Sequence, residues 1–157
     1  MPKTSLDAID RKILKYLIKN ARMPFLEIAR KRGISGAAIH QRVRKLTEQG
    51  VIHGARLAVD PKSLGFDVCA IIGIQLQDPS LHGTTVELLR QIPEIVDCYF
   101  LTGKYNILIK LYCTNNEHLM HTIFDHILKL PEVSQTETFI SLIESFDRQV
   151  EIPDLEE

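Results

Sequence analysis

The sequence contains no apolar run approaching the ~20 residues that a membrane span requires. Its opening stretch, Met1 to Asp7, lacks the apolar core of a secretion signal. Cysteine is scarce: Cys69, Cys98 and Cys113 are an odd number with no close spacing. That argues against a secreted disulfide framework and for the reducing cytoplasm. A net charge is almost absent as well, at −1 over 157 residues. What remains is ordinary globular composition, 45% hydrophobic and 25% charged, enough for one large domain or two small ones.

The near-zero total conceals a division. Residues 1–62 hold 14 Lys/Arg against 5 Asp/Glu, a net of +9. Residues 63–157 hold 5 against 15, a net of −10. Such a swing at one boundary implies a polyanion-binding head on a body that does not bind polyanions.

The first 50 residues predict three short helices. Apolar residues at 6, 9, 13, 14, 17 and 18 form one helical stripe, with Asp7 and Asp10 at its start. A second helix, about Pro24 to Arg32, buries Phe25, Ile28 and Ala29 and ends at Gly33. The third starts from Ser35 and carries Ile39, Val43 and Leu46 before Gly50. Val51 to Val59 reads as a two-stranded wing, which gives a winged helix-turn-helix over 1–60. Turn-rich residues 61–66 form the linker. Across 67–157 the pattern becomes strand, helix, strand, strand, helix, strand, so the fold class is α+β with a ferredoxin-like βαββαβ sandwich. The helices end at Pro93 and Pro131, in the similar strings Gln91-Ile-Pro-Glu-Ile-Val and Lys129-Leu-Pro-Glu-Val-Ser. The acidic tail 151–157 is expected to fray.

With its apolar residues inward, the third helix presents Ser35, Gly36, Ala37, His40, Gln41, Arg42, Arg44 and Lys45 outward. The first part of such a helix enters the DNA major groove, where Gln pairs with adenine and Arg with guanine or phosphate. Arg22 and Arg56 lie outside it and suit phosphate contacts. The expected partner is therefore double-stranded DNA.

The series Leu6-Asp-x-x-Asp-Arg-x-Ile-Leu, Asn20-Ala-Arg and Ile34-Ser-x-x-x-Ile-x-x-Arg-Val-x-x-Leu-x-x-x-Gly-Val-Ile carries a resemblance. Gly54-Ala-Arg-Leu-x-Val-x-Pro-x-x-Leu-Gly-Phe-Asp-Val, Thr102-Gly-Lys-Tyr and Gln135-Thr-Glu-Thr extend it along nearly the whole chain. Together they resemble the leucine-responsive/asparagine regulator (Lrp/AsnC) family, closest to its asparagine-responsive AsnC subgroup. The resemblance implies a transcriptional regulator whose assembly or DNA affinity responds to a free amino acid bound between subunits, with asparagine as the implied effector. It also implies an effector site from Thr102, Gly103, Lys104, Tyr105 and Asn106 with Gln135, Thr136, Glu137 and Thr138. Backbone N–H groups near Gly103 and the Lys104 charge suit a carboxylate. Glu137, Gln135 and the hydroxyls of Thr136 and Thr138 would meet the ammonium or a side-chain amide; Asn106 stands where many relatives carry Asp, so either Glu137 supplies that negative charge or the ligand preference differs.

The apolar strands from Val68 and Ile107 call for cover, which implies a homodimer, and the family resemblance implies assembly to a tetramer or octamer. His118, His121 and His126 near Cys113 and Asp125 are read as a solvated helix face, with no metal or cofactor, and the cysteines as buried and inert. The chain is read as no enzyme. The alternative is a sirohaem-decarboxylase-like enzyme of similar architecture, whose polycarboxylate substrate needs a cationic pocket; the second domain offers only Arg90, Arg148, Lys104, Lys110 and Lys129 against fifteen acids.

Overall fold

The computed structural model describes residues 5–153. They divide into two compact units: the chain up to Leu57 together with the segment from Phe146, and Ala58–Ser145.

In the first unit, α1 spans Ala8–Lys19, α2 Phe25–Arg32 and α3 Gly36–Glu48. Each boundary has a local cause. Asp7 caps α1 by accepting from the Asp10 N–H at 2.8 Å, and Asp10 reciprocates at 3.3 Å. Gly33 takes φ +67°, the left-handed conformation that ends α2 and that side-chain-bearing residues rarely adopt. Ser35 Oγ then accepts from the Ala38 N–H at 3.1 Å and starts α3. The three helices bury Ile13, Ile28, Ala29 and Ile39 against one another, with Ile9, Leu17 and Val43 partly buried around them. Each large apolar side chain so buried contributes about 1.5–3 kcal/mol. One polar tie joins the first and third helices. Arg42 Nη1 of α3 donates to Asp7 Oδ2 at 2.6 Å and to Asp10 Oδ1 at 2.7 Å.

The helix-turn-helix forms as expected, and two details of this unit go beyond the expectation. Among the described residues, 51–60 form no paired wing strands. The N–H groups of Val51 and Ile52 both donate to the Leu46 carbonyl, at 2.9 and 3.2 Å, so they close the end of α3 and are not available to a ladder. Of the tail 151–157, residues 154–157 lie outside the described residues. In the part before them, Arg11 Nη1 donates to the Pro153 carbonyl at 3.0 Å and Ile152 is half-buried. The segment from Phe146 groups with the helical head in this structure.

The second unit runs β1 (Val68–Leu76), α4 (His82–Leu89), β2 (Ile95–Phe100), β3 (Ile107–Cys113), α5 (Asn116–His121) and β4 (Val133–Ser141). The sheet is antiparallel in the order β2-β3-β1-β4, the ferredoxin-like arrangement. After α5 the helix widens into a π-helical stretch, Thr122–Ile127. There the Thr122 hydroxyl takes the His118 carbonyl at 2.9 Å and the Leu128 N–H reaches back to Ile123 O at 2.8 Å. Both helix-ending prolines lead into equivalent turns, Ile95 N–H to Ile92 O and Val133 N–H to Leu130 O, each at 3.1 Å. The repeated string is thus the pseudo-symmetry of the fold.

Alternation along the strands sorts residues between two faces. Ala70, Ile72, Ile74 and Leu76 of β1, with Ile107, Ile109, Leu111 and Cys113 of β3, pack under Leu89, Ile92, Leu119 and Ile127. Among the described residues of this unit, no helix covers the other face, which carries Ile71, Leu108, Lys110, Tyr112 and Phe139. Of the cysteines only Cys113 is buried, and burial pushes its thiol pKa up; Cys98 is exposed on the edge strand β2.

The Arg42 tie generates a prediction. The carboxyl of Asp7 is held below the usual range, first by the Asp10 N–H and then by the Arg42 guanidinium. A depressed acid stabilises the fold fully above its unfolded pKa, about 3.9, and loses that contribution as pH falls through the lower native value. Arg42→Ala is expected to cost on the order of 1 kcal/mol near neutrality. It should also shrink the stability lost between about pH 5 and about pH 2. Urea midpoints across that range check both; an unchanged acid limb would show that the tie contributes nothing.

Candidate nucleic-acid interface and ligand site

On α3, the positions 37, 41, 44, 45 and 48 recur at helical spacing and form one exposed stripe: Ala37, Gln41, Arg44, Lys45 and Glu48. Arg44 Nε donates to Glu48 Oε1 at 2.7 Å in a solvent-exposed pair that raises the guanidinium pKa further. Such a pair exchanges readily for another anion. His40 is also exposed, with its ring edge-on to Phe25 at 4.6 Å between centroids. Arg22 and Arg56 are exposed outside the helix.

Three of the residues expected at this interface also have structural work. Ser35 spends its hydroxyl on the cap of α3. Gly36 is where α3 meets α2, for an added Cβ would stand 2.8 Å from Leu26 Cδ2. Arg42 points back to α1, its side chain 31% exposed and held by two carboxylates. The exposed stripe is the part of the polar set that lies fully on the solvent side of α3.

In the second unit, Gly103 at φ +119° turns the chain between β2 and β3. Tyr105, next along, lies over the open face of the sheet at Gly73: a Cβ on Gly73 would meet three Tyr105 ring atoms at 2.7–2.9 Å. This seat makes Gly73 buried although, among the described residues of this unit, no helix covers its face. Lys104 Nζ stands 4.8 Å from the Tyr105 ring centroid and donates to Glu137 Oε2 at 2.7 Å. Glu137 in turn is the residue of β4 directly opposite Gly73. Lys104, Tyr105, Gly73 and Glu137 thus form one cluster.

Other expected effector residues are placed differently. Asn106 brackets the end of β1: its N–H donates to Ile74 O at 2.9 Å and its Oδ1 accepts from Leu76 N–H at 2.8 Å. Its side-chain oxygen is thereby occupied where β1 shifts register, between Gln75 and Leu76. On β4, Gln135 and Glu137 share the open face, while Thr136 and Thr138 pair opposite Ile74 and Ile72 on the helix-covered face. One chain cannot direct all four at the same ligand. Thr102 is exposed beside the loop. A cavity of about 540 Å³ opens on the same face but elsewhere, lined by Phe66, Cys69, Ile71, Lys110, Tyr112 and Glu144 among others, and by none of the loop residues. Its Lys110 is closed off by Glu144 at 2.7 Å. We take the loop cluster, with its exposed charges, as the better-equipped site.

Residues 6–53 match the winged helix-turn-helix DNA-binding family. Residues 69–150 match the Lrp/AsnC ligand binding domain. The chain belongs to the Lrp/AsnC family. It is 39% identical over 137 residues to Regulatory protein AsnC of Escherichia coli K12, covering 87% of this chain and 90% of that one. The structure of E. coli AsnC superposes with a TM-score of 0.87 at 37% identity, over 94% of this chain and 99% of that chain. A feast or famine regulatory protein from M. tuberculosis, complexed with L-methionine, matches with a TM-score of 0.87 at 26% identity over 95% and 100% of the two chains. The chain is thus a transcriptional regulator of the Lrp/AsnC type.

The Lrp/AsnC ligand binding domain includes both candidate loops, and also Gly73, which motif reading passed over. A signal for it existed, since a lone glycine inside the apolar run Ile71-Ile72-Gly73-Ile74 marks a close approach by another group. Gly73→Ala is expected to displace the Tyr105 ring and cost about 1–3 kcal/mol by overpacking. In a Tyr105→Ala background the same substitution should cost markedly less. Denaturant midpoints of the four proteins test this, and strict additivity would remove the seat.

Proposed function

We propose that this regulator reads specific duplex DNA with the exposed stripe of α3, and that an amino acid held at the Lys104–Glu137 end of the sheet tunes its assembly or DNA affinity. The observation that carries the first half is Ala37, Gln41, Arg44 and Lys45 on one outward face of a head with a net charge of +9. Arg22 and Arg56 fit phosphate contacts that position the head without reading sequence.

The second half rests on the cluster of opposite charges beside Tyr105. The L-methionine held by the M. tuberculosis protein supports an amino acid as the ligand class, and the likeness to AsnC favours asparagine. A second copy of the chain is the natural cover for Ile71, Leu108, Tyr112 and Phe139 on the open sheet face, which makes the homodimer the working unit; further association to a tetramer or octamer would bring loops of different subunits together. We read the protein as cytoplasmic and as non-catalytic. Lys104, Lys110 and Lys129 each already hold a carboxylate, of Glu137, Glu144 and Asp125. That leaves the second unit poorly suited to a polycarboxylate tetrapyrrole.

The test starts from duplexes selected out of a randomised pool by the full-length protein. Arg44→Ala or Gln41→Ala should weaken binding to the selected duplex by about tenfold, with a smaller loss on random duplex. Lys45→Ala should weaken both alike and lower the salt slope by about one. Wild-type binding by all three variants would remove α3 as the reading helix.

A further inference from the structure

The cluster beside Tyr105 is already internally neutral, and this has a bearing on what can enter it. Lys104 and Glu137 are 65% and 43% exposed, so solvent and small solutes reach both ends of the 2.7 Å pair. Beneath Lys104, the Tyr105 ring on Gly73 supplies an apolar floor and a weak hold on the ammonium. Gln135, on the same face of β4, adds a neutral donor and acceptor.

We propose that the Lys104–Glu137 pair is an internal stand-in for the ligand and admits only ligands that carry both charges. This rests on the reading of these loops as the effector site. A solute with a carboxylate alone can displace Glu137 from Lys104, but it leaves the Glu137 carboxylate facing a like charge. A solute with an ammonium alone leaves Lys104 in the same position. A zwitterion replaces both halves at once: its carboxylate takes Lys104 and its ammonium takes Glu137, and no charge is stranded. The pair therefore sets the required charge pattern, while the ligand side chain is selected by other contacts.

Calorimetry on the full-length protein tests this. The common L-amino acids are titrated first, and the tightest binder is followed by its deaminated and decarboxylated analogues; for L-asparagine these are succinamic acid and 3-aminopropanamide. Wild type should bind each analogue at least about tenfold more weakly than the parent. Glu137→Gln, which leaves Lys104 without its partner, should bind the deaminated acid about fivefold more tightly than wild type does, while losing the parent amino acid. Lys104→Gln should do the same for the decarboxylated amine. Loss of the parent with both analogues still at wild-type affinity overturns the exchange while keeping the site. Wild-type affinity for the parent in both variants places the effector elsewhere and overturns the proposal, with amino-acid binding itself intact. Binding of no amino acid by wild type overturns the site reading and this inference together.

Discussion

In the antiparallel sheet, neighbouring residues of each strand point to opposite faces, and α4 and α5 cover only one of those faces. Most of what the second unit can do follows from that arithmetic. It commits Ile72, Ile74, Ile107 and Ile109 to the core and leaves Ile71, Leu108 and Phe139 for another surface. It also divides Gln135-Thr136-Glu137-Thr138 into two pairs that cannot serve one ligand from one side. Gly73 is the point at which the rule is locally overridden: an aromatic ring folds over it and creates the only sheltered position described on that face near the charged loop.

Much of this was legible in the chain itself. The stops at Gly33, Pro93 and Pro131 act through local backbone constraints, which is why the elements they bound were placed to within a few residues. The β-α-β-β-α-β order followed from apolar periodicity, and the division into a basic head and acidic body from charge alone. Less visible were effects that depend on what a backbone group finds nearby. Nothing in Val51 to Val59 reveals that its first two N–H groups close the end of α3. The widened turn after His121, with the Leu128 N–H reaching back to Ile123 O, has no signature in residue type or spacing. For the last described residues, the decisive contact is with Arg11, more than a hundred positions away in the chain.

The candidate sites show the same boundary between pattern and contact. Residue type and spacing identified the outward face of α3 but not that Arg42, two positions from Arg44, turns to Asp7 and Asp10. Two arginines on one helix thus have different duties, one joining helices and the other facing solvent with a replaceable partner. On the loop, Asn106 drew notice for the charge it lacks as a ligand contact, yet its side chain closes the end of β1. Lys104 and Glu137 were both recognised as site residues, and what the sequence left open was that they meet.

The closure of α3 by Val51 and Ile52 has a mechanical side. Because both N–H groups are fixed to the Leu46 carbonyl, the chain leaves α3 on a set bearing for two residues. Beyond them the chain passes through Gly54, at φ +144° a conformation that residues with side chains rarely adopt. A pull from further along the chain therefore meets two hydrogen bonds to Leu46 before it reaches the last turn of α3.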